Sequence, residues 1–101
     1  LLDVISELQN IENLPGVIIS EIKGFGKTKA KNAMNKITMD GIDYVHKIKI
    51  EVVVNDDLVG VVTDTIQRTA HTGLPGDGKI FIHSIDNVIK IRTNEKGETA
   101  I

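Results

Sequence analysis

A glycine-rich segment between residues 72 and 79 has the residue types that best fit ligand chemistry. It reads Thr-Gly-Leu-Pro-Gly-Asp-Gly-Lys, with three glycines within six residues. Glycines accept positive φ angles and let a ligand approach the backbone, and consecutive N–H groups can form a nest for phosphate oxygens. Lys79 would add a positive charge, although Ile80 follows it where a Walker A loop needs Ser or Thr. The segment predicts a phosphate-binding loop, and an ordinary turn between a helix and a strand is the alternative.

A second group of cations lies near the C-terminal end of the chain. Lys90 and Arg92 are alternate residues of a predicted strand, which would place them on one face, and Lys96 follows. Two cations on one face would suit a polyphosphate, because phosphate binding uses several charge-assisted donors. An exposed strand face with solvated charges is the alternative interpretation.

Other catalytic and metal chemistry finds little support in the sequence. His46, His71 and His83 are far apart and form no HxH or HExxH pattern. The chain has no cysteine, which excludes disulfides and thiolate metal sites. Neither Ser nor Thr stands in a nucleophile-elbow context. These residues predict neither a hydrolase nor a metal site.

Composition limits the class of protein further. The 101 residues carry 12 Lys+Arg and 14 Asp+Glu, a formal net charge of −2, and this balance argues against general nucleic-acid binding. Three aromatic residues are too few for a base-stacking platform. There is no apolar run of about 20 residues to span a membrane. We expect one small globular domain with an Ile/Val/Leu core, which oligomerisation would bury further.

Hydrophobic periodicity predicts the elements that must position these residues. Helical spacing of apolar residues predicts a helix at the start of the chain and another after Asn55, with Asn55 as N-cap. Strands are predicted at 17–22, 47–54, 79–82 and 88–92, with a turn at 84–87. The helix-forming apolar positions are Leu1, Leu2, Val4, Ile5 and Leu8 in the first helix, and Leu58, Val59, Val62, Ile66 and Ala70 in the second.

The order of these elements predicts an α+β fold. One additional strand before Leu1 would complete βαββαβ, a ferredoxin-like split βαβ sandwich, so we expect that the first strand is missing from this chain. Residues 24–46 are rich in lysine and small residues and are predicted to hold no regular element. A stretch of this length is either a mobile surface loop or a loop that binds a partner.

Four segments together resemble one protein family. Residues 72–81 resemble the B-loop of the PII signal-transduction proteins, the nitrogen regulatory P-II family, and residues 90–97 resemble the C-loop of that family. Residues 23–27 (Lys-Gly-Phe-Gly-Lys) are similar to the start of its T-loop, and residues 47–51 to the strand that closes it. The resemblance covers the chain in order, and it implies a single PII-like domain over 1–101 with a T-loop at 24–46, a B-loop at 72–79 and a C-loop at 90–97.

The resemblance also implies a function. Members of the family are cytoplasmic homotrimers that bind ATP or ADP in clefts between subunits, with Mg²⁺ as a candidate companion. They regulate partner proteins (an enzyme, a transporter or a regulator) through the T-loop. Carried over to this sequence, the residues expected to bind nucleotide are Gly24, Phe25, Gly26, Lys27, Thr72, Gly73, Gly76, Asp77, Gly78, Lys79, Lys90 and Arg92.

Three positions depart from the pattern of the family. Thr28 stands where a glutamine helps to hold Mg²⁺ and 2-oxoglutarate, and Asp40 stands where many members have a modified tyrosine. Lys90 replaces an arginine, which keeps the charge and loses the bidentate fork. The resemblance therefore favours a divergent, PII-like branch, in which ordinary 2-oxoglutarate sensing and uridylylation are not expected. One alternative is the PII-like branch that is associated with transporters or metal-efflux systems. A protein of that branch would be recruited to a membrane transporter.

Two further classes of function stay open at this point. The first is a small enzyme, such as a slow ATPase or an acylphosphatase-like hydrolase, which lacks an organised nucleophile or base here. The second is a metal-binding trimer like the copper-tolerance proteins of related fold, against which the missing cysteines and scattered histidines argue. A nucleotide-sensing regulator without turnover is the interpretation that the sequence favours.

Overall fold

The structure, a computed structural model, describes residues 1–25, 36–39 and 42–101. The chain forms helix α1 (Leu2–Gln9), strands β1 (Val17–Gly24), β2 (Lys36–Met39) and β3 (Ile42–Val52), helix α2 (Asp56–Ala70) and a short 3₁₀ helix at Gly97–Ala100. The predicted class, α+β, is confirmed, and both helices lie where the periodicity predicts them. Within the described residues, neither helix has the length and apolarity needed to cross a bilayer.

The three strands form one antiparallel sheet in the order β1–β3–β2. β1 pairs with β3 from Val17 opposite Val52 to Gly24 opposite Val45. β2 pairs with the first residues of β3, from Met39 opposite Ile42 to Lys36 opposite Val45. Residues 46–52 of β3 therefore pair on one side only within the described chain.

Both helices pack on the same face of the sheet. The centre of the core is Val4 and Leu8 of α1 against Val62 of α2, and Leu8 is 2% exposed. Thr65 is also buried, and its hydroxyl donates a 2.7 Å hydrogen bond to the Val61 carbonyl, so this buried polar group is satisfied. Partly buried apolar residues from the helices, the sheet and their connections complete the core: Ile11, Leu14, Ile50, Val52, Val54, Leu58, Ile66 and Ala70.

Asn55 precedes α2 in the extended backbone conformation expected of an N-cap residue. Its side chain makes no capping hydrogen bond, whereas its carbonyl accepts a 2.9 Å bond from the N–H of Leu58. The predicted position of the cap is confirmed. The expected side-chain contribution is absent, so the acidic residues Asp56 and Asp57 are the groups that complement the positive end of this helix.

The prediction that residues 24–46 lack regular structure is wrong. β1 extends through Gly24, β3 begins at Ile42 rather than at Lys47, and β2 pairs with it. Only two residues, Asp40 and Gly41, lie between β2 and β3 in the sequence. An Asp-Gly pair between β-branched and aromatic residues is a strong hairpin signal, and it was available in the sequence.

Two short strands predicted near the C-terminal end do not form. Residues 79–82 make no sheet pairing in the described chain, and Phe81 is 75% exposed. Residues 88–92 are reduced to one isolated bridge, between Ile89 and Lys96, followed by a turn. A strand forms only where a neighbour takes up its N–H and C=O groups, and no described strand lies beside these segments.

Candidate functional site

The glycine-rich loop, residues 72–79, follows α2 after one extended residue, His71. Gly73, Gly76 and Gly78 have φ angles of +81°, +99° and +101°. Side chains with a Cβ rarely adopt such angles, so each of these positions requires glycine for conformational reasons. The prediction that these glycines adopt positive φ is confirmed, and the chain bends and turns over residues 73–76.

Asp77 holds this loop together from inside. Its Oδ2 atom accepts hydrogen bonds from the backbone N–H of Thr72 at 2.9 Å and of Gly73 at 3.0 Å. Its Oδ1 atom accepts a bond from the Thr72 hydroxyl, which in turn accepts a 3.2 Å bond from the N–H of Leu74. The carboxylate of Asp77 therefore braces the start of the loop. It is an acceptor only, so its side chain cannot donate to a phosphate.

These bonds lower the pKa of the Asp77 carboxyl below its ordinary value of 3.8. The largest cause is the bond from the Thr72 hydroxyl, followed by the bond from the Thr72 backbone N–H. The folded loop favours the ionised carboxylate, so the ionisation of Asp77 stabilises the folded state. This stabilisation is fully present at pH values above 3.8 and is lost as the pH falls through the lowered pKa. The Asp77 carboxylate is therefore ionised at neutral pH.

The second half of the loop presents hydrogen-bond donors. The backbone N–H groups of residues 76–79 make no hydrogen bond to any group of the described chain, and these residues are exposed. The Lys79 side chain adds an ammonium group at the end of this series. Unpaired N–H groups and a lysine ammonium group are the kinds of donor to which anionic oxygens, such as those of phosphate, bind.

The cations predicted on one strand face lie instead on a hairpin that spans residues 87–97. The N–H of Lys90 donates to the Glu95 carbonyl at 2.9 Å, and the N–H of Asn94 donates to the Lys90 carbonyl at 2.7 Å. Residues 91–93 form a turn, so the predicted alternation of Lys90 and Arg92 along a strand does not apply. Lys90 is half-buried and Arg92 is exposed.

Polar side chains fix the conformation of this hairpin. The Thr93 hydroxyl donates to the Glu95 carboxylate at 2.9 Å and accepts a 3.3 Å bond from the Glu95 N–H. The Asn87 side-chain oxygen accepts bonds from the N–H groups of Val88 and Gly97, at 2.9 and 3.2 Å. Among the described residues, no hydrogen bond or ion pair joins the hairpin to the glycine-rich loop. Within one chain, therefore, Lys79 lies in the loop while Lys90 and Arg92 belong to a separate element.

The remaining predicted ligand residues lie where β1 ends. Gly24 pairs with Val45, and the Phe25 ring packs edge-to-face on Tyr44 with 5.8 Å between ring centroids. Carbon atoms of the Lys47 side chain lie 3.7 and 3.8 Å from the position that a Cβ on Gly24 would occupy. The other predicted residues, Gly26 and Lys27, lie outside the described residues, as do the divergent positions Thr28 and Asp40.

Sequence reasoning missed two residues near these sites. His71 contacts the brace residue Asp77, with 3.7 Å between Nδ1 and Oδ2, and Tyr44 packs on Phe25. Their positions in the sequence are the only signal for such a role. His71 stands between a predicted helix and the glycine-rich loop, and Tyr44 stands just before a strongly predicted strand. In the part of the chain that the structure describes, no group of three His, Asp or Glu side chains could hold a metal ion.

Comparison with known proteins identifies the family. The family model "Nitrogen regulatory protein P-II" matches residues 1–95. The chain is 42% identical over 100 residues to the nitrogen regulatory protein P-II of Klebsiella oxytoca and to P-II 1 of Escherichia coli K12, covering 99% of this chain and 89% of each relative. It is also similar in structure to the B. subtilis GlnK–ATP complex, with a TM-score of 0.74, 34% identity, and coverage of 97% of this chain and 83% of that one. The ferredoxin-like fold expected from the sequence is thereby confirmed, and the chain belongs to the nitrogen regulatory protein P-II family.

Proposed function

We propose that this protein is a PII-like signal-transduction protein that binds ATP or ADP through the glycine-rich loop and regulates partner proteins through residues 24–46. The observation that carries the proposal is the loop itself, in which the N–H groups of residues 76–79 and the Lys79 ammonium group are available to an anion. The structurally similar GlnK was solved as a complex with ATP, which supports a nucleotide as that anion.

In this proposal the two halves of the glycine-rich loop have different roles. Asp77 keeps the first half folded through Thr72 and Gly73. The N–H groups of the second half, together with Lys79, bind the phosphates. Lys90 and Arg92 reach the same phosphates from the hairpin of a neighbouring subunit, which is consistent with the absence of a bond between loop and hairpin among the described residues of one chain.

The same geometry favours regulation over turnover. The carboxylate nearest the loop donors is that of Asp77, and it already accepts three hydrogen bonds from the loop. A carboxylate that is held in this way, with a lowered pKa, is a poor general base for hydrolysis. We therefore propose a cytoplasmic regulator whose output is the choice of a partner, which is an enzyme, a transporter or another regulator.

A thermal-unfolding measurement tests the nucleotide proposal directly. A ligand that binds only the native state raises the unfolding temperature. We expect ATP and ADP to raise it, each with and without Mg²⁺, and we expect copper or zinc ions alone to leave it unchanged. Stabilisation by the metal ions without nucleotide would contradict the proposal and would favour the metal-binding class instead.

We expect the protein to be a trimer, and this is a separate prediction. Large apolar side chains are exposed in the single chain, among them Ile18, Leu74 and Ile91, which is 99% exposed. Monomeric proteins rarely expose so much apolar surface, and subunit contacts would cover it. Light scattering across micromolar concentrations should give three times the chain mass of 11.0 kDa. A stable monomer over that range would disprove the assembly.

We expect 2-oxoglutarate to have little effect on ATP affinity. The proposed cause is Thr28, because a threonine hydroxyl is too short to replace a glutamine side chain in the octahedral shell that Mg²⁺ requires, at about 2.0–2.1 Å. Calorimetric titration of ATP–Mg²⁺, with and without saturating 2-oxoglutarate, measures the coupling. A tenfold or larger gain in affinity, equal to about 1.4 kcal/mol, would contradict this interpretation of Thr28.

A further inference from the structure

His71 lies between the end of α2 and the glycine-rich loop, and its ring lies beside Asp77 and Gly73 of that loop. Its Nδ1 atom is 3.7 Å from Oδ2 of Asp77, the oxygen that accepts the N–H groups of Thr72 and Gly73. Its Cε1 and Nε2 atoms each lie 3.9 Å from the position that a Cβ on Gly73 would occupy. The imidazole ring therefore lies against the same turn that Asp77 closes.

The strength of this contact depends on whether the imidazole carries a proton. A separation of 3.7 Å is too long for a hydrogen bond from a neutral ring, whereas a protonated ring and a carboxylate attract each other at that distance. Histidine is the side chain that gains or loses a charge near neutral pH. Among the described residues, Asp77 is the one charged group in contact with His71. Arg68, the nearest charged residue along α2, makes no ion pair with either residue.

We propose that His71 is a positioning residue for phosphate binding. In its protonated form His71 holds Asp77 against Thr72 and Gly73. This contact keeps the N–H groups of residues 76–79 in the arrangement that binds phosphate. The proposal rests on the function proposed above. The brace is strongest while the imidazole is charged, and it weakens as the pH rises and the ring loses its proton. Asp77 stays ionised at and above neutral pH because the loop lowers its pKa, so the charge on His71 alone sets the direction of the pH dependence. Nucleotide affinity is therefore higher in slightly acidic solution.

Calorimetric titration with ADP at about pH 6 and about pH 8 tests this dependence. The three proteins to compare are the wild type, His71→Gln and the control His83→Gln. His83 is an exposed histidine whose ring lies near Phe81, and it makes no contact with the loop among the described residues. The phosphate groups of ADP titrate too, but they do so equally for all three proteins.

We expect ADP affinity to increase when the pH is lowered from about 8 to about 6. The increase should be about two- to fivefold larger for the wild type and His83→Gln than for His71→Gln, because an exposed ion pair contributes little free energy. Equal pH dependence in all three proteins would overturn the proposal. A loss for His71→Gln that is the same at both pH values would also overturn it, because that result would indicate a role in folding alone.

Amide hydrogen exchange of the nucleotide-free protein provides a measurement that does not depend on ADP binding. The protection of the Thr72 and Gly73 amides should be lower in His71→Gln than in the wild type at about pH 6, and the two proteins should agree at about pH 8. If the wild type and His71→Gln protect these amides to the same extent at both pH values, the proposal is overturned. If the wild type binds no ADP at either pH, the proposed function fails, and the exchange experiment still decides the role of His71.

Discussion

Leu8→Ala is expected to lower the free energy of unfolding by about 2–5 kcal/mol, the range found when a leucine is truncated in a close-packed core. Leu8 is 2% exposed and packs between Val4 and Val62, where α1 meets α2. The core of this domain contains few fully buried side chains. The neighbours of Leu8 therefore cannot easily fill the cavity that the truncation would leave. Urea unfolding followed by circular dichroism, at one fixed protein concentration, measures the loss.

Leu74→Ala is the matched control for this measurement. Leu74 is 69% exposed in the glycine-rich loop, and truncation of a surface side chain normally changes stability by no more than about 0.5 kcal/mol. Similar losses for the two variants would show that the interface between α1 and α2 is not the main source of stability. In an oligomer, a loss for Leu74→Ala alone would indicate that this leucine is buried by a neighbouring subunit.

Lys79→Ala is expected to weaken ATP binding by about ten- to hundredfold, because a hydrogen bond to a charged group contributes about 1.5–3 kcal/mol. Lys79 ends the series of available N–H donors in the glycine-rich loop and forms no ion pair within the described chain. Its ammonium group is therefore available to phosphate oxygens. Isothermal titration calorimetry of the wild type and the variant at the same ionic strength gives the ratio of the two dissociation constants.

Two further lysine and arginine variants show whether this loss is specific. Arg92→Ala should weaken ATP binding to a similar degree, because we place Arg92 at the phosphates from the hairpin of a neighbouring subunit. Lys36→Ala removes a positive charge from β2, outside the glycine-rich loop and the hairpin, and should leave the affinity nearly unchanged. Equal losses for all three variants would locate the nucleotide elsewhere, since only a general effect of net charge would then remain.

The elements with strong local signals could be predicted from the sequence. The apolar spacing of Leu1 to Leu8 and of Leu58 to Ala70 is helical, and the alternation after Lys47 is that of a strand. These elements form as predicted, with boundaries that differ by a few residues. Likewise, three glycines in the loop predict positive φ angles, because the restriction is a property of each residue and not of its neighbours.

The remaining features depend on contacts between distant residues. Residues 80–82 (Ile-Phe-Ile) are apolar and favour a strand. A strand also needs a partner, and sequence composition does not reveal whether one is available. The role of Asp77 was hidden for a related reason. Its position suggested a contact with phosphate, whereas its carboxylate accepts hydrogen bonds from Thr72 and Gly73 across a turn that only the folded backbone defines.

The contact between Phe25 and Tyr44 provides an optical probe at the point where β1 and β3 lead into residues 26–41. Tyr44 is the only tyrosine, and the chain has no tryptophan. Tyrosine fluorescence of the protein therefore originates from one ring, which lies 5.8 Å from Phe25, measured between centroids. A ligand or partner that separates these two strands would alter the emission of that ring. The unlabelled protein can thus report in real time on the base of its proposed regulatory loop.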